Sequence, residues 1–262
     1  MLEACVGAPA LIARRVLCGI AYQVGDLPDA LRRTEELARR AREAGDEPLA
    51  CETEGFTAQL HEAAGATDQA VALAFEMRTR ADMLRAPFLA SWSRYVSGVV
   101  TLSHDREEAR RWFLQGLACA RSASQPHMVR FSLRALGVVA LLDGDRGEAA
   151  RRLAAALEHA DGTANPATQW VTLLAVALLL ADAGHDESAT ALLAATSATL
   201  AAPLLGSLAV LGRLAARTER ELAARLGPER LAAANARGRA LDLAATMDLA
   251  RRPLDSLAVS GS

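Results

Sequence analysis

The sequence predicts an all-α fold: an α-solenoid of about five helix pairs, each spanning 40 residues, with a short helical cap at its C-terminal end. Three observations lead there. Of the 262 residues, 52% are hydrophobic but only 4% aromatic, and isoleucine occurs only at Ile12 and Ile20. That is a helix-forming composition, poor in the β-branched and aromatic residues that strands favour. Next, the turn signals Gly25-Asp26, Gly65-Ala66, His104-Asp105, Gly144-Asp145 and Gly184-His185 recur at intervals of 40, 39, 40 and 40 residues. Finally, small residues are locked to those turns. Five residues after each turn begins stands an alanine (Ala30, Ala70, Ala109, Ala149, Ala189), and seven before it a small residue (Cys18, Ala58, Ser97, Gly137, Ala177). A third column, sixteen after the turn, reads Ala41, Ala81, Ala120 and Ala160 and fails only at Leu200.

A period of this length predicts two antiparallel helices per unit, with small side chains where their axes come close. The first helix of the first unit would carry Leu11, Ile12, Val16, Leu17 and Ile20. No polar capping helix precedes it, so its apolar face is expected to be covered by another repeat, another domain or a second copy of the chain through the N-terminal repeat, or else to fray. The second helix opens at Asp26 and Pro28, a side-chain cap followed by a residue whose missing N–H costs nothing in a first turn. On it, Glu35-Arg39 and Glu36-Arg40 are spaced to pair along a solvated face. In the second unit the helices are expected at 48–64 and 67–84. Pro48, Pro87 and Pro126 mark first-helix starts, and Asp105 with Glu107 and Glu108 marks a second-helix N-terminus. After Pro203 the period breaks, and short helices are expected at 218–226, 228–237 and 242–250, with Pro228 in a first turn and Asp242 as a cap. The domain scheme is thus repeats over 1–202, capping helices over 203–252 and, where no apolar period remains, a flexible tail over 253–262.

Composition narrows the chemistry. All 29 basic residues are arginine, which excludes a phosphate-loop lysine, a Schiff-base lysine and a lysine general base. A net charge of -2 supplies no field for a polyanion, so no direct nucleic-acid binding is expected. The four cysteines, Cys5, Cys18, Cys51 and Cys119, form no Cys-x-x-Cys pair and point to reduced thiols in a cytoplasm. The longest apolar run, 171–181, stops at Asp182, short of the roughly 20 residues a bilayer requires, and no secretory signal is expected.

Candidate catalytic motifs fail on their essential residues. His61-Glu62 lacks the second histidine of a helical zinc motif, since Gly65 stands there. His104-Asp105 and His185-Asp186 would suit a metal-dependent helical hydrolase, the alternative from another class, but both pairs fall on the repeat turn. No serine or cysteine lies in a nucleophile elbow. No catalytic residue, metal or cofactor is expected.

What remains is a surface. In stacked helix pairs the first helices line the inner wall, and ten residues before each turn stand Arg15, Gly55, Arg94, Arg134 and Leu174. The neighbouring registers bring Glu52 and Phe131, thirteen before the turn, and Tyr22, three before it. The candidate set is therefore Arg15, Tyr22, Glu52, Arg94, Phe131 and Arg134, beside Trp92 and Tyr95. Such a groove suits an extended peptide or protein segment, its carboxylates meeting bidentate arginines. The competing reading makes the arginines solvated and Trp92, Tyr95 and Phe131 core.

A small residue in the first helix, a Gly-Asp turn and an alanine in the second helix resemble the tetratricopeptide (TPR) pattern, stretched to 40 residues, over about residues 8–202. The resemblance implies a right-handed TPR-like superhelix. The tail is similar to the C-terminal end of the helical-repeat region in actinobacterial signal-transduction ATPase regulators of the MalT-like LuxR-type, AfsR-like and cyclase-linked kinds. The residues that carry this are Glu221-Leu222-Ala223-Ala224-Arg225-Leu226-Gly227-Pro228-Glu229-Arg230-Leu231, Ala234, Gly238-Arg239-Ala240-Leu241 and Leu249-Ala250. That pattern has an aromatic where Leu231 stands and a tryptophan where Asn235 stands. The resemblance implies a sensor or scaffold arm of a cytoplasmic transcription regulator, with a peptide or protein partner or, alternatively, a small-molecule effector.

Overall fold

The computed structural model describes residues 26–159, 166–199 and 209–260. Among them are eleven helices and no strand. These are α1 (Leu27–Glu43), α2 (Glu47–Ala63), α3 (Thr67–Leu84), α4 (Pro87–Thr101), α5 (Arg106–Ser122) and α6 (Pro126–Leu142). They continue with α7 (Arg146–Glu158), α8 (Pro166–Asp182), α9 (Asp186–Thr199), α10 (Ala209–Arg239) and α11 (Leu243–Ser260). The helix expected at 48–64 runs one residue earlier at each end, and that expected at 67–84 has those bounds. The first helix of the first unit, with Leu11 to Ile20 and the surface expected to recruit a second copy, lies outside the described residues.

The chain divides into two compact units, the first reaching Met128 and the second beginning at Val129, with residues 210–262 in the second. In the first, α1 to α5 pack each on the next, and α2 also packs on α4, one first helix on another. In the second, α7 packs on α8, α8 on α9, and α11 against all three.

The alanine column explains the pairing. Ala30, Ala70, Ala109, Ala149 and Ala189 are each 0% exposed, so any larger side chain there would push two helices apart. Gly137 belongs to the same logic, because a Cβ built on it would stand 2.8 Å from Leu153 Cγ. First helices are the more deeply buried ones. α4 is buried except at Pro87, Phe88, Ala90 and Arg94, and α8 is buried without a break from Gln169 to Ala181, as expected of a helix that is apolar on every face. Charged faces belong to the second helices. On α1, Glu36 pairs with Arg40 as expected, but Arg39 reaches Glu36 and Glu43, leaving Glu35 3.7 Å from His61 of α2. The Arg39 fork is long enough to serve the carboxylates three before and four after it.

Caps set the boundaries. Asp26, Asp46, Asp105, Asp145 and Asp242 each accept a backbone N–H from three residues on. Gly65 and Gly144 take φ +79° and Gly184 +83°, and the residue after each donates back five residues, the wrap that closes a left-handed helix end. At the third turn His104 stands in place of glycine, α4 ends a residue sooner, and Asp105 N–H reaches back only four residues, to Thr101.

The tail differs from expectation in two ways. Its first two helices are halves of α10, which starts at Ala209 and breaks at Gly227 (φ 73°, ψ 170°), with Pro228 opening the second half. Residues 253–260, expected as part of a flexible tail, continue α11 instead. Pro253 removes one backbone donor, but Leu254, 1% exposed, anchors the last turns. Among the described residues no helix is long and apolar enough to cross a membrane.

Candidate binding site

Within the first unit the aromatic residues converge. Trp92 of α4 lies at the centre, with ring centroids 4.7 Å from Phe56, 6.2 Å from Phe88 and 5.8 Å from Tyr95. Tyr95 in turn meets Phe113 at 5.8 Å, and Phe88 meets His127 at 5.8 Å. Half of the chain's ten aromatic residues therefore form one ladder. Its inner rungs, Trp92, Tyr95 and Phe113, are buried, while Phe56 and Phe88 are half-buried and His127 is exposed. Gly55 makes the ladder possible, because a Cβ there would overlap the Trp92 indole. The indole N–H donates to the Glu52 carbonyl at 3.1 Å, locking α4 to α2.

The expected wall residues meet different fates. Glu52 is half-buried beside this ladder. Arg94 is half-buried too, donating to Asp82 of α3 at 3.0 Å and to the Ala90 carbonyl at 3.0 Å. Arg134 lies inside the fold at 1% exposure, and so does Arg130 at 2%. Their guanidiniums sit 5.0 and 5.7 Å from the half-buried Phe131 ring. Burial, then the charge of Arg134, lowers the pKa of Arg130. Arg15 and Tyr22 lie outside the described residues. Trp92 and Tyr95 are core, as the competing reading had it, but Arg134 is not solvated.

Other chemistry-bearing groups have structural uses. Glu54, 1% exposed, accepts from Arg42 of α1 and lies 2.6 Å from Arg80 of α3, so it ties three helices together. Glu62 accepts from Ser103 at 2.7 Å and Thr67 at 3.2 Å. Asp105 caps α5, and Asp186 pairs with Arg225 at 3.1 Å. Among the described residues no three of His, Cys, Asp and Glu converge as a metal site would require.

The second unit holds a groove of about 450 Å³ between α9 and the two halves of α10. Leu193, Leu222 and Leu231 give it an apolar floor, and Ser197, Glu219, Asn235 and Arg239 line it with polar groups. The floor is well buried at Leu193 and Leu222, whereas Ser197, Glu219 and Arg239 are exposed at the rim. Two features shape it. The Gly227 kink turns both halves of α10 toward α9, and Gly238 lets the second half press against the Ala191 backbone. Repeat periodicity ends before the α10 half of this lining and could not bring it against α9. The legible signal was the row Leu231, Asn235, Arg239, four residues apart on one helix face.

No protein-family model matches the chain, and neither does any curated protein sequence.

Proposed function

We propose that the chain is a non-catalytic binding module: a right-handed TPR-like solenoid serving as the sensor or scaffold arm of a cytoplasmic transcription regulator. Its partner is a peptide or protein segment taken along the aromatic edge of the first unit, at Glu52, Phe56, Phe88 and His127. The observation that carries this reading is the ladder itself, whose buried rungs hold two half-buried phenyl rings at the surface. Rigid aromatic rings backed by a packed core offer large contact area at little entropic cost, which is what interface anchors provide.

The test is a panel of extended peptides with apolar and basic side chains, titrated against the chain by Trp fluorescence and against a Phe56→Ala, Phe88→Ala double variant. Loss of two anchors should weaken the best peptide at least tenfold, about 1.4 kcal/mol, with helical content unchanged. Undiminished affinity in a folded variant removes the edge from the proposal.

A second reading, small-molecule effector sensing, is favoured by the groove of about 450 Å³, which falls within the roughly 300–1,000 Å³ of pockets that enclose small ligands.

A further inference from the structure

We infer that the groove between α9 and α10 binds a short zwitterion with an apolar body, a di- or tripeptide with free termini, whose carboxylate meets Arg239 and whose ammonium meets Glu219. This rests on the effector-sensing reading and names the ligand class for that site.

Several charges on α10 are paired within the fold. Arg217 pairs with Glu221 at 2.7 Å, Arg225 with Asp186 at 3.1 Å and Arg230 with Glu187 at 2.9 Å. The side chains of Glu219 and Arg239, which line the groove, take part in no hydrogen bond or ion pair among the described residues, and the same holds for the side chains of Ser197 and Asn235. Arg213, Arg220 and Glu229 of α10 are likewise unpaired among the described residues, but among the charged side chains of the helix it is Glu219, on the first half, and Arg239, on the second, that line the groove. They are of opposite sign, and they do not pair with each other. A linear molecule with one charge at each end bridges two such groups, where a singly charged ligand would satisfy one and leave the other facing it.

The groove between them is chemically consistent with that molecule. The leucine floor takes apolar side chains, and the guanidinium of Arg239 presents parallel N–H groups in the fork that fits a carboxylate. Asn235 lies one turn before Arg239 on the same face and brings both a donor and an acceptor to a peptide bond. Thr190 is already engaged with the Asp186 carbonyl at 2.8 Å and adds only its methyl group to the floor. Among the described residues helices supply the walls, an arrangement that suits a site formed before the ligand arrives.

The experiment uses the full chain and tri-leucine, titrated calorimetrically beside three capped forms: N-acetylated, C-amidated and both. Free tri-leucine should bind. Each single cap should weaken it about tenfold, and the double cap should abolish measurable binding. Arg239→Ala should reproduce the effect of the amide and Glu219→Gln that of the acetyl group, each with unchanged helical content. Leu231→Trp, which fills the floor, should remove binding of all forms. Equal affinity for free and doubly capped peptide would overturn the inference, as would binding that Leu231→Trp leaves intact. A parallel panel of neutral sugars and alcohols separates the two levels. If a neutral probe binds in a Leu231→Trp-sensitive manner and tri-leucine does not, effector sensing stands and the zwitterion assignment falls. If no probe binds, both fall.

Discussion

Cys51 shows how one side chain's surroundings set its chemistry. It is 1% exposed on α2, its thiol donates to the Met77 carbonyl at 3.5 Å, and burial, then the nearby Glu54 carboxylate, pushes its pKa up to about 12 from an ordinary 9.0. A thiol needs its thiolate to react, so Cys51 should be silent to alkylating and disulfide reagents at neutral pH in the folded chain. Cys119 on α5 is half-buried and should label before Cys51. Mass spectrometry after brief iodoacetamide treatment checks this; rapid labelling of Cys51 under native conditions would contradict it. The same shift has a pH consequence. The unfolded thiol ionises near 9.0 while the folded one stays protonated to about 12, so this contribution is complete below pH 9 and is lost as the pH rises through that window. Glu36 works in the opposite direction. Hydrogen bonds from Arg39, then Arg40, hold it at about 2 against an ordinary 4.5, so its contribution is present above 4.5 and lost as the pH falls toward 2. Because the pair is largely exposed, that effect is small and salt-sensitive.

At the scale of helices and turns, the period was legible because it is a local code. A turn followed five residues later by a fully buried alanine needs only two neighbouring helices to make sense, and Ala30 through Ala189 carry it without exception. The links from second helix to next first helix are less uniform. Gly45, Arg85 and Ser124 occupy corresponding places at intervals of 40 and 39, and all three take positive φ, at 73°, 52° and 51°. Only the first is glycine, so sequence alone hid the repeat. A non-glycine residue in this conformation costs on the order of 1 kcal/mol. Arg85→Gly and Ser124→Gly should therefore each stabilise the chain by about 0.5–1 kcal/mol, offset in part by the freer unfolded backbone, and chemical denaturation will read it. Gly238 poses the reverse case. A Cβ there runs into the Ala191 backbone, which cannot rotate away, so Gly238→Ala should separate α10 from α9 and destabilise by about 1–3 kcal/mol. The binding surfaces were less legible than the helices. Arg94 and Arg134 share a register, yet one is half-buried and paired to Asp82 while the other is buried, because burial depends on which distant elements close over each helix. Arg239 and Glu219 are 20 residues apart, and only the kink at Gly227 turns them toward one groove.

Among the described residues much of the charge is held in pairs. Arg32 and Arg33 share Asp29, Arg42 and Arg80 share Glu54, and Arg151 and Arg152 share Glu148. Arg94, Arg146, Arg217, Arg225 and Arg230 each face one carboxylate. Individually, exposed pairs of this kind add about 0–1 kcal/mol to stability. Their larger effect is on long-range recognition. DNA affinity grows with the number of phosphates a protein can neutralise, which requires arginines gathered on one face and free to leave their partners. Here the acidic residues outnumber the basic, 31 to 29, and carboxylates sit within the arginine clusters that would otherwise attract a phosphate backbone. Binding a duplex would have to break these pairs one by one while repelling the remaining carboxylates. We therefore expect no micromolar association with a random duplex even at low salt, where the electrostatic attraction is strongest, as measured by fluorescence anisotropy. A bound state that weakens steeply with added salt would show several arginines releasing their carboxylates for phosphates, and the chain would then contact DNA directly rather than through a partner.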